Sequence, residues 1–349
     1  MKKIGVAILG ATGSVGQKFL ELLAEHPQFE VKELAASEKS AGKKYKEATN
    51  WIMQKALPLN FSDMIVKECQ PNLKSKIVFS ALDASVAGEI EEDFAKAGYI
   101  VISNARNHRY DPNVPLIIPE VNSDHLEMIK FQKYGDGAII TNPNCSTIGL
   151  VLALKPLHEN FVIESVNVVT LQAVSGAGYP GLPSMDIIDN SIPFIGGEEP
   201  KMEKEPLKIL GRLNTKGQVD FADIVISAQC NRVAVNDGHL ECVQVKLKKK
   251  PSIEEMINSW INFKAEPQKL NLPSAPKNPI YYFHEEKYPQ PKIHRNLEKG
   301  MAAAVGRLRE CPLFDYKFVV LSHHTVRGAA GGTILIAELL HAKGYLPDE

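Results

Sequence analysis

A cysteine placed where an apolar strand gives way to an apolar helix is set up as a nucleophile. Cys145 has that setting in Ile139-Ile140-Thr141-Asn142-Pro143-Asn144-Cys145-Ser146-Thr147-Ile148-Gly149. A helix N-terminus lowers a thiol's pKa, and the thiolate is the attacking species. Ser146 and Thr147 are the expected capping hydroxyls, and the Asn144 amide is expected to donate to an oxyanion. The cysteines at 69, 230, 242 and 311 lack this setting and are expected to be inert. With no CxxC pair and no short ligand spacing, neither a disulfide framework nor a metal site is expected.

A thiolate catalyst needs an acid/base partner, and among ten histidines His239 is the best placed. Asp237-Gly238 lies between two alternating runs in Arg232-Val233-Ala234-Val235-Asn236-Asp237-Gly238-His239 and predicts a tight hairpin. Its register would put Arg232 and His239 on one face, a cation for a carboxylate beside an imidazole for proton transfer. His323 and His324 compete for the acid/base role. No Ser/Asp triad partners are visible.

The N-terminal segment Ile4-Gly5-Val6-Ala7-Ile8-Leu9-Gly10-Ala11-Thr12-Gly13-Ser14-Val15-Gly16 is G-x-x-G-x-x-G between a strand and a helix. Glycines there permit a tight turn and let backbone N–H groups approach a pyrophosphate at the positive end of the helix. Where an NAD enzyme tends to carry an acid at the end of the second strand, this chain has Ser37, Ser40 and either Lys39 or Lys43. Those groups favour NADP through its 2′-phosphate, with Glu38 as the contrary residue.

Positioning these groups requires two kinds of layer. Up to about residue 145, short apolar runs at Ile4–Leu9, Val31–Ala36, Ile77–Ala81, Tyr99–Ser103 and Ala138–Thr141 alternate with helical patterns near Ser14–Glu25 and Ser85–Ala97. That alternation predicts an α/β, Rossmann-type parallel sheet. Longer strand-like runs follow at Ile163–Val174, Ile224–Val235, Leu240–Leu247, Ala302–Leu308 and Lys317–Ser322, with helical patterns near 184–191, 200–212 and 252–263. They predict a second α+β domain with a mixed, largely antiparallel sheet. The domains are expected at 1–145, rejoined by a returning helix over 328–349, and at 146–327. Residues 264–298, rich in Pro, Lys and Asn, are expected to be a long surface excursion.

The chain has 349 residues, 40 Lys plus Arg against 41 Asp plus Glu, and 44% apolar residues. A net charge of −1 offers no polybasic surface for nucleic acid or anionic lipid. No apolar run approaches the roughly 18–20 residues of a membrane span, and the N-terminus has no signal-peptide pattern, so a soluble, cytoplasmic protein is expected.

Taken together, G-A-T-G-S-V-G, N-P-N-C-S-T, Gln172 in L-Q-A-V-S-G-A-G, the E-E-P-K-M-E-K-E-P-L-K-I-L-G stretch from Glu198, and R-V-A-V-N-D-G-H resemble the aspartate-semialdehyde dehydrogenase family, in its archaeal and fungal branch. The resemblance runs in order from about residue 4 to 345. It implies NADPH-dependent reduction of L-4-aspartyl phosphate to the semialdehyde, in the pathway to lysine, threonine, methionine and isoleucine. By the same resemblance Cys145 forms a thioester, Asn144 helps hold the oxyanion, His239 is the acid/base and Gln172 orients the acyl group. Arg232 would take the α-carboxylate, Glu198 the ammonium, and Lys201 and Arg109 the phosphate. Gly10, Thr12, Gly13, Ser14 and Val15 would hold the nucleotide, Ser37 and Ser40 its adenosine side, and Ser175 and Gly176 the nicotinamide side. A homodimer or homotetramer is implied. In the segment Gly328–Thr333 a glycine stands where many bacterial members carry an asparagine that touches the nicotinamide. Malonyl-CoA reductase, on a similar scaffold, is the rival; Glu198 and the N-P-N-C-S-T segment favour the aspartyl phosphate enzyme.

Overall fold

The structure, a computed structural model, describes residues 2–346; Met1 and 347–349, the outer ends of the expected first domain, lie outside the described residues. Six strands, β1 (Ile4–Leu9), β2 (Phe29–Ala36), β3 (Val66–Glu68), β4 (Ile77–Ser80), β5 (Ile100–Ser103) and β6 (Ala138–Thr141), form one sheet in the order β3-β2-β1-β4-β5-β6. Every pairing is parallel. The apolar runs of β4, β5 and β6 are buried at every position, as a sheet covered on both faces requires. One face packs Val6, Ile8, Phe79 and Ile102 against the helix Ser14–Leu23 and the last helix, Gly331–Ala342. The other packs Val78, Val101 and Ile139 against Phe94 and Ala95 of the helix Ala84–Lys96.

A second sheet follows. Its strands are β7 (Ile163–Ala173), β8 (Ser191–Ile192), β11 (Val225–Val233), β12 (His239–Leu247), β13 (Ile280–Phe283), β14 (Ala303–Glu310) and β15 (Tyr316–Ser322). A two-stranded ribbon, β9 (Arg212–Leu213) with β10 (Val219–Asp220), stands apart. The order β13-β14-β15-β12-β7-β11-β8 is mixed, with four antiparallel and two parallel pairings. Helices Cys145–Phe161, Glu199–Ile209 and Ile253–Ile261 cover one face, burying Leu150, Met202, Met256 and Trp260 against Val168, Val243, Val245 and Phe318. The opposite face leaves Val169, Leu171, Leu240, Cys242 and Val319 half-buried.

Two expectations are corrected here. The Asp237-Gly238 connection is not a tight hairpin, because β11 and β12 do not pair. β7 lies between them, parallel to β11 and antiparallel to β12, so the connection spans one strand. Backbone hydrogen bonding to the apolar β7 outweighs local turn chemistry. The stretch 264–298 is also more than a surface excursion: it contributes β13, buries Leu272 in the first core, and fixes Ser274 N–H on the buried Glu338 carboxylate. The final helical segment begins as a π-turn over Val326–Ala330 before the α-helix from Gly331.

Candidate active site

β6 ends at Thr141, and Asn142-Pro143-Asn144 leads directly into the helix Cys145–Phe161, so the first domain delivers Cys145 to the edge of the second sheet. The cap of this helix differs from expectation. Asn144 Oδ1 accepts from Ser146 N (3.0 Å) and Thr147 N (3.1 Å), so its side chain, not the Ser146 or Thr147 hydroxyl, closes the helix. That leaves the Cys145 N–H without a partner among the described residues, a donor of the kind an oxyanion needs. Asn144 Nδ2 donates to Glu198 Oε1 at 2.8 Å, so this amide is already engaged and its oxyanion role requires exchange of that bond.

The second sheet supplies the opposite wall. Gln172 on β7 and Arg232 on β11 are opposite one another in register, and His239 begins β12. Arg232 Nη1 donates to Ala173 O (2.7 Å), and His239 Nδ1 accepts from Ala173 N (3.1 Å). The strand end between them therefore orients both, and Arg232 and His239 meet in space although the hairpin is absent. Because a backbone N–H only donates, Nδ1 is the acceptor and the neutral imidazole carries its proton on Nε2, an assignment made from that bond. Nε2 lies 3.5 Å from Cys145 Sγ. Burial, followed by the charges of His324, Arg232 and His323, holds the imidazole well below its ordinary pKa.

Opposing effects meet at the Cys145 sulfur. Burial first, then Glu198, pushes its thiol up to about 12, while Lys201, Arg109 and Arg232 pull the other way. The walls that shape the cleft desolvate the sulfur and so act against the helix N-terminus.

Glu198 is the hub of the polar network. Its Oε1 accepts from Asn144 Nδ2 and from Gln172 Nε2 (3.2 Å), and its Oε2 pairs with Lys201 Nζ (2.5 Å). Burial alone would raise this carboxyl, but Lys201 and these hydrogen bonds hold it below its ordinary value. Arg109 pairs with Glu205 Oε1 (2.7 Å) and donates to Asn104 O (2.8 Å), and its buried Nε has no partner among the described residues. Sequence reasoning missed Glu205, whose Oε2 also accepts the Asn144 N–H at 2.6 Å. Residues 198, 201, 205 and 208 recur at helical spacing, a signal that could have found it. The buried Lys208 completes the row, donating to the carbonyls of Arg109, Asp111 and Val114. Asn104 and Asn142 were missed as well, and His324, weighed as a rival acid/base, instead stacks on His239.

The nucleotide-type loop lies at the point where the first sheet reverses its order, between β1 and β4. Gly10 has φ +75°, and a Cβ there would lie 2.5 Å from Ala81 O. A Cβ on Gly16 would meet Gly10 O at 2.3 Å. The helix Ser14–Leu23 has Gly13 as its N-cap, with no side-chain cap and no acid in its first turn, so its end is free for an anion. Gln17 fixes the loop through Thr12 O, and Tyr45 through Ala11 O (2.8 Å). Ser37 is exposed and Ser40 half-buried beyond β2. Gly176 borders both Arg232 and His239, where a Cβ would lie 3.0 Å from Arg232 Nη1 and 3.1 Å from His239 Cε1. Ser175 Oγ is engaged by Asn236, Asp237 and His324.

Comparison with known proteins agrees with this geometry. Residues 5–129 match the family described as "Semialdehyde dehydrogenase, NAD binding domain", and residues 154–327 match "Semialdehyde dehydrogenase, dimerisation domain". The chain is 51% identical to the aspartate-semialdehyde dehydrogenase of Schizosaccharomyces pombe, covering 99% of both chains. It is 49% identical to that of Methanothermobacter thermautotrophicus, covering 97% of this chain and 99% of the relative. The crystal structure of aspartate semialdehyde dehydrogenase with NADP from Candida albicans superposes with a TM-score of 0.92 at 43% identity, covering 99% of this chain and 100% of that one. On fold, site and full-length similarity, the chain belongs to the aspartate-semialdehyde dehydrogenase family.

Proposed function

We propose that this protein reduces L-4-aspartyl phosphate to L-aspartate 4-semialdehyde with NADPH, releasing phosphate, through a thioester on Cys145. The observation that carries this reading is the Cys145 Sγ to His239 Nε2 approach of 3.5 Å at a helix N-terminus, in a chain about half identical to its relatives over its whole length.

Cys145 Sγ attacks the acyl carbon, the carbonyl oxygen takes the charge, and the C–O bond to phosphate breaks to leave a thioester. The Cys145 N–H and the His239 Nε2–H are the donors at hand for that oxygen. Arg232 receives the α-carboxylate through its fork, and Glu198 the ammonium. Lys201 and Arg109, each already paired with a carboxylate, exchange those partners for the phosphate. Gln172 holds the acyl group from the Glu198 side. NADPH, when bound, would supply the hydride; Gly10, Thr12, Gly13, Ser14 and Val15 would hold its pyrophosphate, Ser37 and Ser40 its adenosine side, and Gly176 its nicotinamide side. Collapse of the thiohemiacetal frees the aldehyde and returns the electron pair to Sγ. His239 serves as hydrogen-bond donor throughout, since in this tautomer its Nε2 cannot take the thiol proton; that proton goes to the departing phosphate oxygen as the C–O bond breaks, and Sγ regains one from solvent after the thiohemiacetal collapses.

The domain division 1–145 with 328–349, and 146–327, is part of the same reading. Homo-oligomer formation, as a dimer or tetramer, would use the half-buried outer face of the second sheet. Biosynthesis of lysine, threonine, methionine and isoleucine in the cytoplasm is the corresponding physiological setting. The test is phosphate-dependent reduction of NADP⁺ by the semialdehyde, beside NADPH oxidation by malonyl-CoA. Turnover with the semialdehyde that needs phosphate and vanishes in Cys145→Ala supports the reading. Turnover with malonyl-CoA alone overturns the substrate.

A further inference from the structure

Behind His239 stands a second buried imidazole. The His324 ring is parallel to the His239 ring, with centroids 4.1 Å apart and planes 9° apart. His324 follows β15 and is 2% exposed. Both of its nitrogens are engaged: Nδ1 accepts from Gly238 N (3.3 Å), so Nε2 carries the proton and donates to Ser175 Oγ at 2.8 Å. The Ser175 hydroxyl in turn is 2.7 Å from both Asp237 Oδ1 and Asn236 O, to one of which it donates. A directional chain thus runs from His324 through Ser175 to the β11–β12 connection, tying together the ends of β7, β12 and β15.

We infer that His324, held by Ser175 and Asp237, is a positioning residue that fixes the ring plane of His239 so that Nε2–H meets Cys145 and the oxygen of its adducts. This rests on the reading above that Cys145 and His239 carry the reaction. His239 has one polar tether besides Cys145, the Ala173 N–H on Nδ1, and a hydrogen bond in the ring plane resists tilting out of that plane only weakly. A parallel ring at van der Waals distance blocks the tilt directly. Ser175 is also reassigned: with its hydroxyl used by His324 and the 236–237 backbone and carboxylate, it acts on His239 through His324 rather than on the nicotinamide. The stack disfavours two protonated rings, and burial pushes His324 down to about 3, so it presents a neutral face.

The test uses the full chain and steady-state kinetics with aspartate semialdehyde, phosphate and NADP⁺, plus NADPH binding by fluorescence. In His324→Ala, kcat should fall about 10- to 100-fold, the range for a misaligned catalytic group, with KM values and NADPH affinity unchanged. His324→Phe keeps a stacking ring and should recover most of kcat. Ser175→Ala, at the surface, should lower kcat less and leave KM unchanged; it carries the test if His324→Ala does not fold. Wild-type kcat in His324→Ala or in Ser175→Ala would overturn the inference, as would a rise in KM at constant kcat. So would a phenylalanine no better than alanine. If His239→Gln or Cys145→Ala retains full turnover, the failure belongs to the underlying reading instead.

Discussion

Replacing Gly328 by alanine would press directly on the nucleophile. A Cβ there would lie 2.7 Å from Cys145 Cβ and 2.9 Å from its Cα. Carbon atoms rest at about 3.5–4.0 Å, so roughly 0.8 Å must be found by moving the π-turn or the start of the cysteine helix. Neither moves freely. Gly328 O accepts from Asn142 Nδ2 (3.1 Å), and the adjacent Arg327 is held in a buried fork on Glu120. Overpacking of this kind costs about 1–3 kcal/mol, or roughly 2–4 °C in Tm per kcal/mol for a domain of 150–250 residues. The functional cost is larger, because a displacement near 1 Å takes Sγ out of line with His239 and lowers kcat by about 100-fold. Turnover with the semialdehyde and thermal melting measure the two consequences. In a Cys145→Gly background, where one clashing atom is gone, the same alanine should cost less stability. Wild-type kcat and Tm in Gly328→Ala would refute the packing argument.

Other consequences follow from buried charge. With the Cys145 thiol at about 12, alkylation of the free enzyme by iodoacetamide, followed on the modified peptide, should climb with pH from 7 to 10; a plateau near neutrality would contradict the desolvated thiol. Glu241 is 1% exposed, neither carboxyl oxygen has a partner among the described residues, and burial raises its pKa well above 4.5. The folded state therefore favours the protonated acid, and its stability falls as pH rises from the unfolded value toward the folded one. Glu241→Gln should gain about 1–3 kcal/mol over the parent at pH 8 and nothing at pH 4 in urea unfolding; equal stability at pH 8 would count against it. Arg327→Met leaves Glu120 buried without its cation and should cost about 3–5 kcal/mol, read as a lower urea midpoint; an unchanged midpoint would mean the pair is not needed.

The parts of the site legible in the sequence are those fixed by short-range geometry. The glycine spacing at 10, 13 and 16 records close approaches within one strand-turn-helix unit, and the buried runs of β4, β5 and β6 record a sheet covered on both faces. Cys145 could be placed at a helix start because an apolar strand and an apolar helix flank a polar Asn-Pro-Asn. The helix cap was misplaced by two or three residues, since three neighbouring side chains had the right chemistry and only geometry chose Asn144. The archaeal and fungal resemblance assigned roles to Arg109, Gln172, Glu198 and Lys201, for which local pattern alone offered little.

What the sequence by itself determined was the elements that carry the candidate reacting groups, because strands and helices follow from residue type and from periodicities of two and 3.6. Only the tertiary structure decided their partners. Insertion of β7 between β11 and β12 joined Arg232 to His239 without a hairpin, and the stacking of His324 joined groups 85 positions apart in the chain. It also set the direction in which burial moves each titration, Cys145 upward and His239 downward. A pKa in a cleft depends on how much water the packed walls exclude and on which charges meet across it, and both are properties of surfaces that exist only after the chain has folded.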